Sequence, residues 1–209
     1  MKALDIENWN RKQQYEFFKT YEDPFFNITT NLEVSNLYNY CKKHDLSFSL
    51  SCLYVAIKNI NEISEFKLRI KKGKVYQFDN VNIGSTILNN DNTFSFCDFP
   101  FEQTIFEFVK NGEAIIKAHK NGIKFEPQEN ELAIVHCTTL PWISITAIKH
   151  ARKGDERGKG IPKIVFGKYF TENDTKKIPF SVEVHHALVD GFHVGLLLDK
   201  MQQFINDLV

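Results

Sequence analysis

Apolar positions along this chain recur with periods of about 3.6 and 2 residues, and the places where one gives way to the other mark out its elements. Residues 8–21 read as a helix anchored by Trp9, Phe17 and Phe18 and broken at Asp23-Pro24, with Arg11 in its first turn. Residues 25–34 alternate as a strand. Val34, Leu37, Tyr38 and Cys41 fall at helical spacing over 33–43, and Leu50, Leu53, Tyr54, Ile57 and Ile60 make an apolar face over 47–63. Strands at 66–70 and 74–78 flank Lys71-Lys72-Gly73 as a hairpin, and two more are predicted at 81–88 and 93–99. A helix over 101–120 ends at Asn121-Gly122, and a strand follows at 131–137. The charged, glycine-bearing stretch 149–163 predicts a mobile surface loop. Strands at 165–171 and 178–186 then lead into an amphipathic helix over 191–209. The expected fold is a single α/β domain over 1–209, a two-layer sandwich of helices on a mixed, largely antiparallel sheet.

Composition narrows the function classes. With 209 residues and 43% apolar content the chain is long enough for one sizeable core, and its formal net charge of zero gives no global attraction to nucleic acid or to an anionic membrane. No apolar run approaches the roughly 18 residues of a spanning helix, and the first residues lack the apolar core of a signal peptide, so a cytoplasmic location is expected. Cys41, Cys52, Cys97 and Cys137 are scattered without a CxxC pair and read as buried free thiols. Neither an HExxH spacing nor a glycine-rich phosphate loop is present, so no metal is expected and a dinucleotide fold or nucleoside triphosphatase is disfavoured. The 19 phenylalanines point to an aromatic core or an apolar pocket.

Chemistry concentrates in Val184-His185-His186-Ala187-Leu188-Val189-Asp190-Gly191, where a strand runs into a turn. Adjacent residues of a strand point to opposite faces, so at most one of the two histidines is the reactive group on a given surface and the other needs a structural explanation. His44, His119, His136 and His150 take the structural reading. An unperturbed imidazole, with a pKa of about 6.5, is mostly an available base at neutral pH, suited to removing a proton from an alcohol as it attacks an activated carbonyl. No serine or cysteine sits in a GxSxG elbow, so direct transfer fits better than an acyl-enzyme.

The stretch 182–194 resembles the signature of the chloramphenicol acetyltransferase family, within the wider class of coenzyme A-dependent acyltransferases. Asn8-Trp9-Asn10-Arg11, residues 66–79, Thr93-Phe94-Ser95, Leu140-Pro141-Trp142, Gly167-Lys168-Tyr169 and the terminal helix are similar to that family's landmarks in the same order, over nearly the whole chain. The resemblance implies an acetyl-CoA-dependent O-acetyltransferase, with acetyl-CoA as co-substrate and chloramphenicol as leading acceptor, hence antibiotic resistance. In it His186 is the general base and Thr138 stands where the family carries a serine that donates to the oxyanion. Asp190 pairs with Arg11 to fix the turn, while His185 is packing. Phe18, Phe26 and Phe94 resemble the wall of the acceptor pocket, and Trp142, Lys168 and Tyr169 correspond to positions near the coenzyme. The family also implies a homotrimer with its sites at subunit interfaces.

Three departures bear on the acceptor. Phe18 stands where a tyrosine is frequent and Val165 where a threonine is, and the 149–163 stretch is charged where the family's is more apolar. Another small xenobiotic alcohol therefore competes as acceptor, and a catalytically silent binding protein of the same fold is the alternative of a different class.

Overall fold

The computed structural model describes residues 1–120, 131–152, 154 and 159–208. In chain order its elements are β1 (Lys2–Ala3), α1 (Lys12–Phe18), β2 (Phe25–Glu33), α2 (Ser35–His44), α3 (Phe48–Asn61), β3 (Leu68–Lys71), β4 (Lys74–Gln77), β5 (Asn82–Leu88), β6 (Phe94–Phe99), α4 (Ile105–Lys120), β7 (Ile134–Thr139), β8 (Lys163–Phe166), β9 (Phe170–Glu172), β10 (Thr175–His185) and α5 (Gly191–Asn206). The main sheet has seven strands in the order β2-β10-β8-β7-β5-β6, with β9 paired to the start of β10. Within it β5, β7 and β8 run parallel to one another and the remaining pairs are antiparallel. A small sheet of β1, β4 and β3 stands beside it. The expected two-layer α/β sandwich is what the chain forms.

Side-chain alternation on β10 explains how the layers meet. Ile178, Phe180, Val182 and Val184 join one core with Val194, Leu197, Met201 and Ile205 of α5, while Ser181, Glu183 and His185 point to the opposite face. At the centre lies α3, buried over almost its whole circumference and in contact with α2, α4, α5, β5 and β7. A helix apolar all round has no solvent face to keep. Ser47 caps it by accepting from the Leu50 amide at 3.4 Å. Two hairpins close on residues with left-handed backbone, Lys72 and Gly73 (φ 50° and 72°) and Asn173 and Asp174 (φ 48° and 61°), as tight turns between right-twisted strands require. Cys41, Cys52, Cys97 and Cys137 are all buried free thiols. Burial pushes the Cys97 thiol up to about 12, and those of Cys41, Cys52 and Cys137 up as well. Among the described residues no helix is long and apolar enough to cross a membrane.

Several expectations shift. The first helix is shorter than 8–21, and Arg11 occupies its N-cap position instead of its first turn. Residues before it form turns, with the Trp9 amide donating to Ile6 O and the Lys12 amide to Trp9 O. β10 stops at His185, so His186 is the first residue of the turn, and β7 extends to Thr139, so Thr138 lies within a strand. The surface-loop reading of 149–163 fails at Arg152. Its side chain is 7% exposed and ion-paired to Glu183, because a carboxylate inside an apolar strand must find a cation. Residues 153 and 155–158 of that stretch, and the helix stop expected at Asn121-Gly122, lie outside the described residues.

Candidate active site

The carboxyl end of β10 carries a closely packed group. Past His185 the chain turns back on itself, with the Leu188 and Val189 amides donating to His185 O, and the His186 amide reaches Pro24 O at 2.7 Å. His185 is 3% exposed and edge-on to Phe25, with ring centroids 5.0 Å apart. Its Nδ1 accepts from the Ala187 amide. Burial, helped by the Arg152 charge and by His186, pushes its pKa down to about 4, so it is neutral packing at physiological pH. His186 is half-buried and held between aromatic rings. Phe18 stacks on it at 3.8 Å and 5°, and Phe26 leans on it at 4.6 Å and 47°. Its Nδ1 is buried and without a hydrogen-bond partner among the described residues.

Asp190 anchors this turn from the far side. Its Oδ2 accepts from Arg11 Nη1, and Arg11 Nη2 lies 3.5 Å from His186 O. Its Oδ1 accepts from the Phe192 and His193 amides, while His193 Nδ1 accepts from the Asp190 amide, which completes a capping box at the start of α5. Burial alone would raise the Asp190 carboxyl; the Arg11 hydrogen bond and charge, with His193, reverse this and hold it below the ordinary carboxylate value. Arg11 is itself 7% exposed, with its guanidinium carbon 5.9 Å from the Trp9 ring centroid. The cation that sits badly at a helix start is therefore part of a cross-chain clamp on the turn.

The remaining candidates lie elsewhere. Thr138 on β7 is registered beside Val165 on β8, and Val165 beside Ser181 on β10. Thr138 thus stands two strands and five residues from His186, roughly 19 Å at ordinary strand spacing and rise. The turn after β7 is bound to the loop after β8, with the Leu140 amide donating to Phe166 O at 2.8 Å and the Lys168 amide to Ile143 O at 2.7 Å. Gly167 makes this contact possible, since a Cβ there would lie 3.0 Å from Ile143 O. Trp142, Lys168 and Tyr169 gather at this end and are exposed, the indole by 61%. Tyr169 packs against Tyr38 and Phe48 at 5.7 and 5.8 Å. Phe94, 48% exposed at the start of β6, pairs with Leu88 towards the same end of the sheet.

The ten candidate residues therefore form two groups. His186, Phe18, Phe26, Arg11 and Asp190 meet at one end, and Thr138, Trp142, Lys168, Tyr169 and Phe94 lie towards the other. The sequence reading missed a third group beside the first: Glu183, Arg152 and His150, of which Glu183 accepts from Arg152 Nε at 2.7 Å. The signal was a glutamate in the otherwise apolar run Val182-Glu183-Val184. Among the described residues no cluster of ligating side chains could hold a metal ion.

Comparison with known proteins follows the same lines. The family model described as chloramphenicol acetyltransferase matches residues 1–202. A chloramphenicol acetyltransferase from Proteus mirabilis is 28% identical over 206 residues, which cover 98% of this chain and 94% of that protein. A solved chloramphenicol acetyltransferase structure superposes with a TM-score of 0.88 at 24% identity, covering 98% of this chain and 99% of the other. A probable dihydrolipoamide acetyltransferase from Listeria monocytogenes shares the fold at a TM-score of 0.68 and 11% identity, covering 94% and 90% of the two chains.

Proposed function

The chain belongs to the chloramphenicol acetyltransferase family, and on that premise we propose that it is an acetyl-CoA-dependent O-acetyltransferase whose leading acceptor is chloramphenicol. The observation that carries the reading is the imidazole of His186, stacked flat on Phe18 and flanked by Phe26, with Nδ1 buried. That leaves Nε2 to meet a substrate, and the two rings fix the plane in which it does so. Nε2 takes the proton of the acceptor hydroxyl as its oxygen attacks the thioester carbonyl of acetyl-CoA. The tetrahedral oxyanion collapses, the carbon–sulfur bond breaks, and the proton passes from the imidazolium to the departing thiolate. The products are an acetyl ester and coenzyme A. Arg11 and Asp190 hold the turn so that the imidazole keeps its position, and they take no part in the proton transfer.

The oxyanion needs a donor, and Thr138 of the same chain is too far away to serve. We infer that the Thr138 hydroxyl donates to the oxyanion formed beside the His186 of a neighbouring copy. Two surfaces at opposite ends of one sheet suit a head-to-tail contact, which forms a ring when its rotation closes, and the family resemblance supports a ring of three. In it the exposed Trp142, Lys168 and Tyr169 of the neighbour provide the coenzyme's binding surface, an indole and a phenol for stacking and an ammonium for phosphate. The cytoplasm, where acetyl-CoA is made and used, is the proposed location.

Release of coenzyme A thiol from acetyl-CoA, with and without chloramphenicol, tests the reading in the wild type and in His186→Ala. Acceptor-dependent release lost in the variant is expected. No release with chloramphenicol or with any of a panel of alcohols and amines would leave a binding protein of this fold.

A further inference from the structure

Phe26 has neighbours of opposite character. One is the ring of His186; the other is a cavity of about 300 Å³, which Phe26 lines together with Phe25, Ile148, His150, Arg152 and Glu183. The wall of this cavity is charged, buried and organised. Glu183 is 5% exposed, its Oε1 accepts from Arg152 Nε at 2.7 Å, and its Oε2 lies 3.5 Å from His150 Nδ1. The Arg152 guanidinium lies 3.4 Å from the centre of the Phe25 ring. Burial by itself would raise the Glu183 carboxyl; His150 and Arg152 overcome it and bring it down to about 2, so the wall stays ionised. Oε1 is occupied by arginine, whereas Oε2 has, among the described residues, only the long imidazole contact and keeps capacity to accept a hydrogen bond. Phe18 and Val165, meanwhile, offer an acceptor no hydrogen bond from their side chains.

We propose that this cavity is the distal end of the acceptor pocket, and that Glu183, held by Arg152 and flanked by His150, selects acceptors whose arm beyond the reacting hydroxyl donates hydrogen bonds, as a hydroxyl, an amine or an amide N–H does. The inference rests on the acetyltransferase reading and narrows its substrate class. An arm without donors, such as an aryl nitro group, takes water from Oε2 and returns nothing.

Chloramphenicol and the same molecule with its nitro group reduced to an amine form a matched pair that differs only at that arm. Their kcat/KM values, and their dissociation constants by calorimetry, are measured for the wild type, for Glu183→Gln/Arg152→Met and for His150→Leu. The double variant removes both charges, so no lone ion is left buried, and His150→Leu leaves the ion pair intact. The expected result is a preference of about 10-fold for the amine in the wild type, close to parity in the double variant and an intermediate ratio in His150→Leu. Equal values in the wild type, or a preference that survives the double variant, overturns the proposal. Thiol release without preference sinks the pocket assignment alone. Absence of release with preferential binding retained sinks the enzyme reading alone, and failure of both compounds to bind overturns the pocket assignment as well.

Discussion

At the carboxyl end of β10 each important side chain is held in place by its own chain: His186 by two rings, Asp190 by Arg11 and a capping box. At the other end Trp142 and Lys168 are exposed on a turn and a loop that are tied to one another, and Tyr169 beside them is covered on one side only, by Tyr38 and Phe48. The first region is an imidazole held rigidly by its own chain, and the second is an exposed surface. Under the proposed function the contrast is a division of labour, in which proton transfer draws on angular precision within one chain and coenzyme binding on a face offered to a neighbouring copy.

The strongest way to break this contrast is to remove the base. His186→Ala is expected to lower turnover by about 10³-fold or more with the fold unchanged, measured as thiol release beside a thermal melt. Thr138→Val, at the other end, should cost about 10²-fold in kcat with little change in KM, as loss of an oxyanion donor does. Mixing sharpens the point. If Thr138 serves a neighbour's His186, co-refolding the two inactive variants restores one intact site in every mixed ring of three, about a quarter of wild-type activity for random mixing. No recovery would mean that both residues act within one chain.

Smaller effects probe the clamp and the cover. Arg11→Met leaves Asp190 without its cation and should cost about 3 kcal/mol, read as a fall in Tm. The Glu183–Arg152 pair gives a pH signature. The carboxyl sits at about 2 against an ordinary 4.5, so its contribution is complete above the unfolded value and disappears as pH falls through 4.5 towards 2. The Tm advantage of the wild type over Glu183→Gln/Arg152→Met should shrink across that window. Least of all, Trp142→Ala should raise KM for acetyl-CoA several-fold, about 1 kcal/mol of lost stacking, and leave kcat nearly untouched.

Much of the first region was legible in the sequence. Alternation placed the strand that ends at His185, one residue short of the expected His186, whereas the capping of α5 by Asp190 was not read from the sequence. A cation at a helix start is unfavourable by helix electrostatics, yet only the family resemblance supplied the partner of Arg11, because an ion pair between residues 11 and 190 leaves no local trace. The charged stretch at 149–163 was misread for a related reason. Charge density argues for solvent, and nothing local reveals that Arg152 meets a carboxylate 31 residues later. The separation of Thr138 from His186 was invisible, since strand order and register are properties of the assembled sheet.

The four cysteines have a practical bearing on these experiments. Each thiol is buried, and burial holds each in its protonated form, so a disulfide reagent that colours on contact with thiolate finds coenzyme A and passes over the folded protein. The enzyme is thus its own blank in the assay that tests it, and the same reagent, added without substrate, becomes a clock for unfolding.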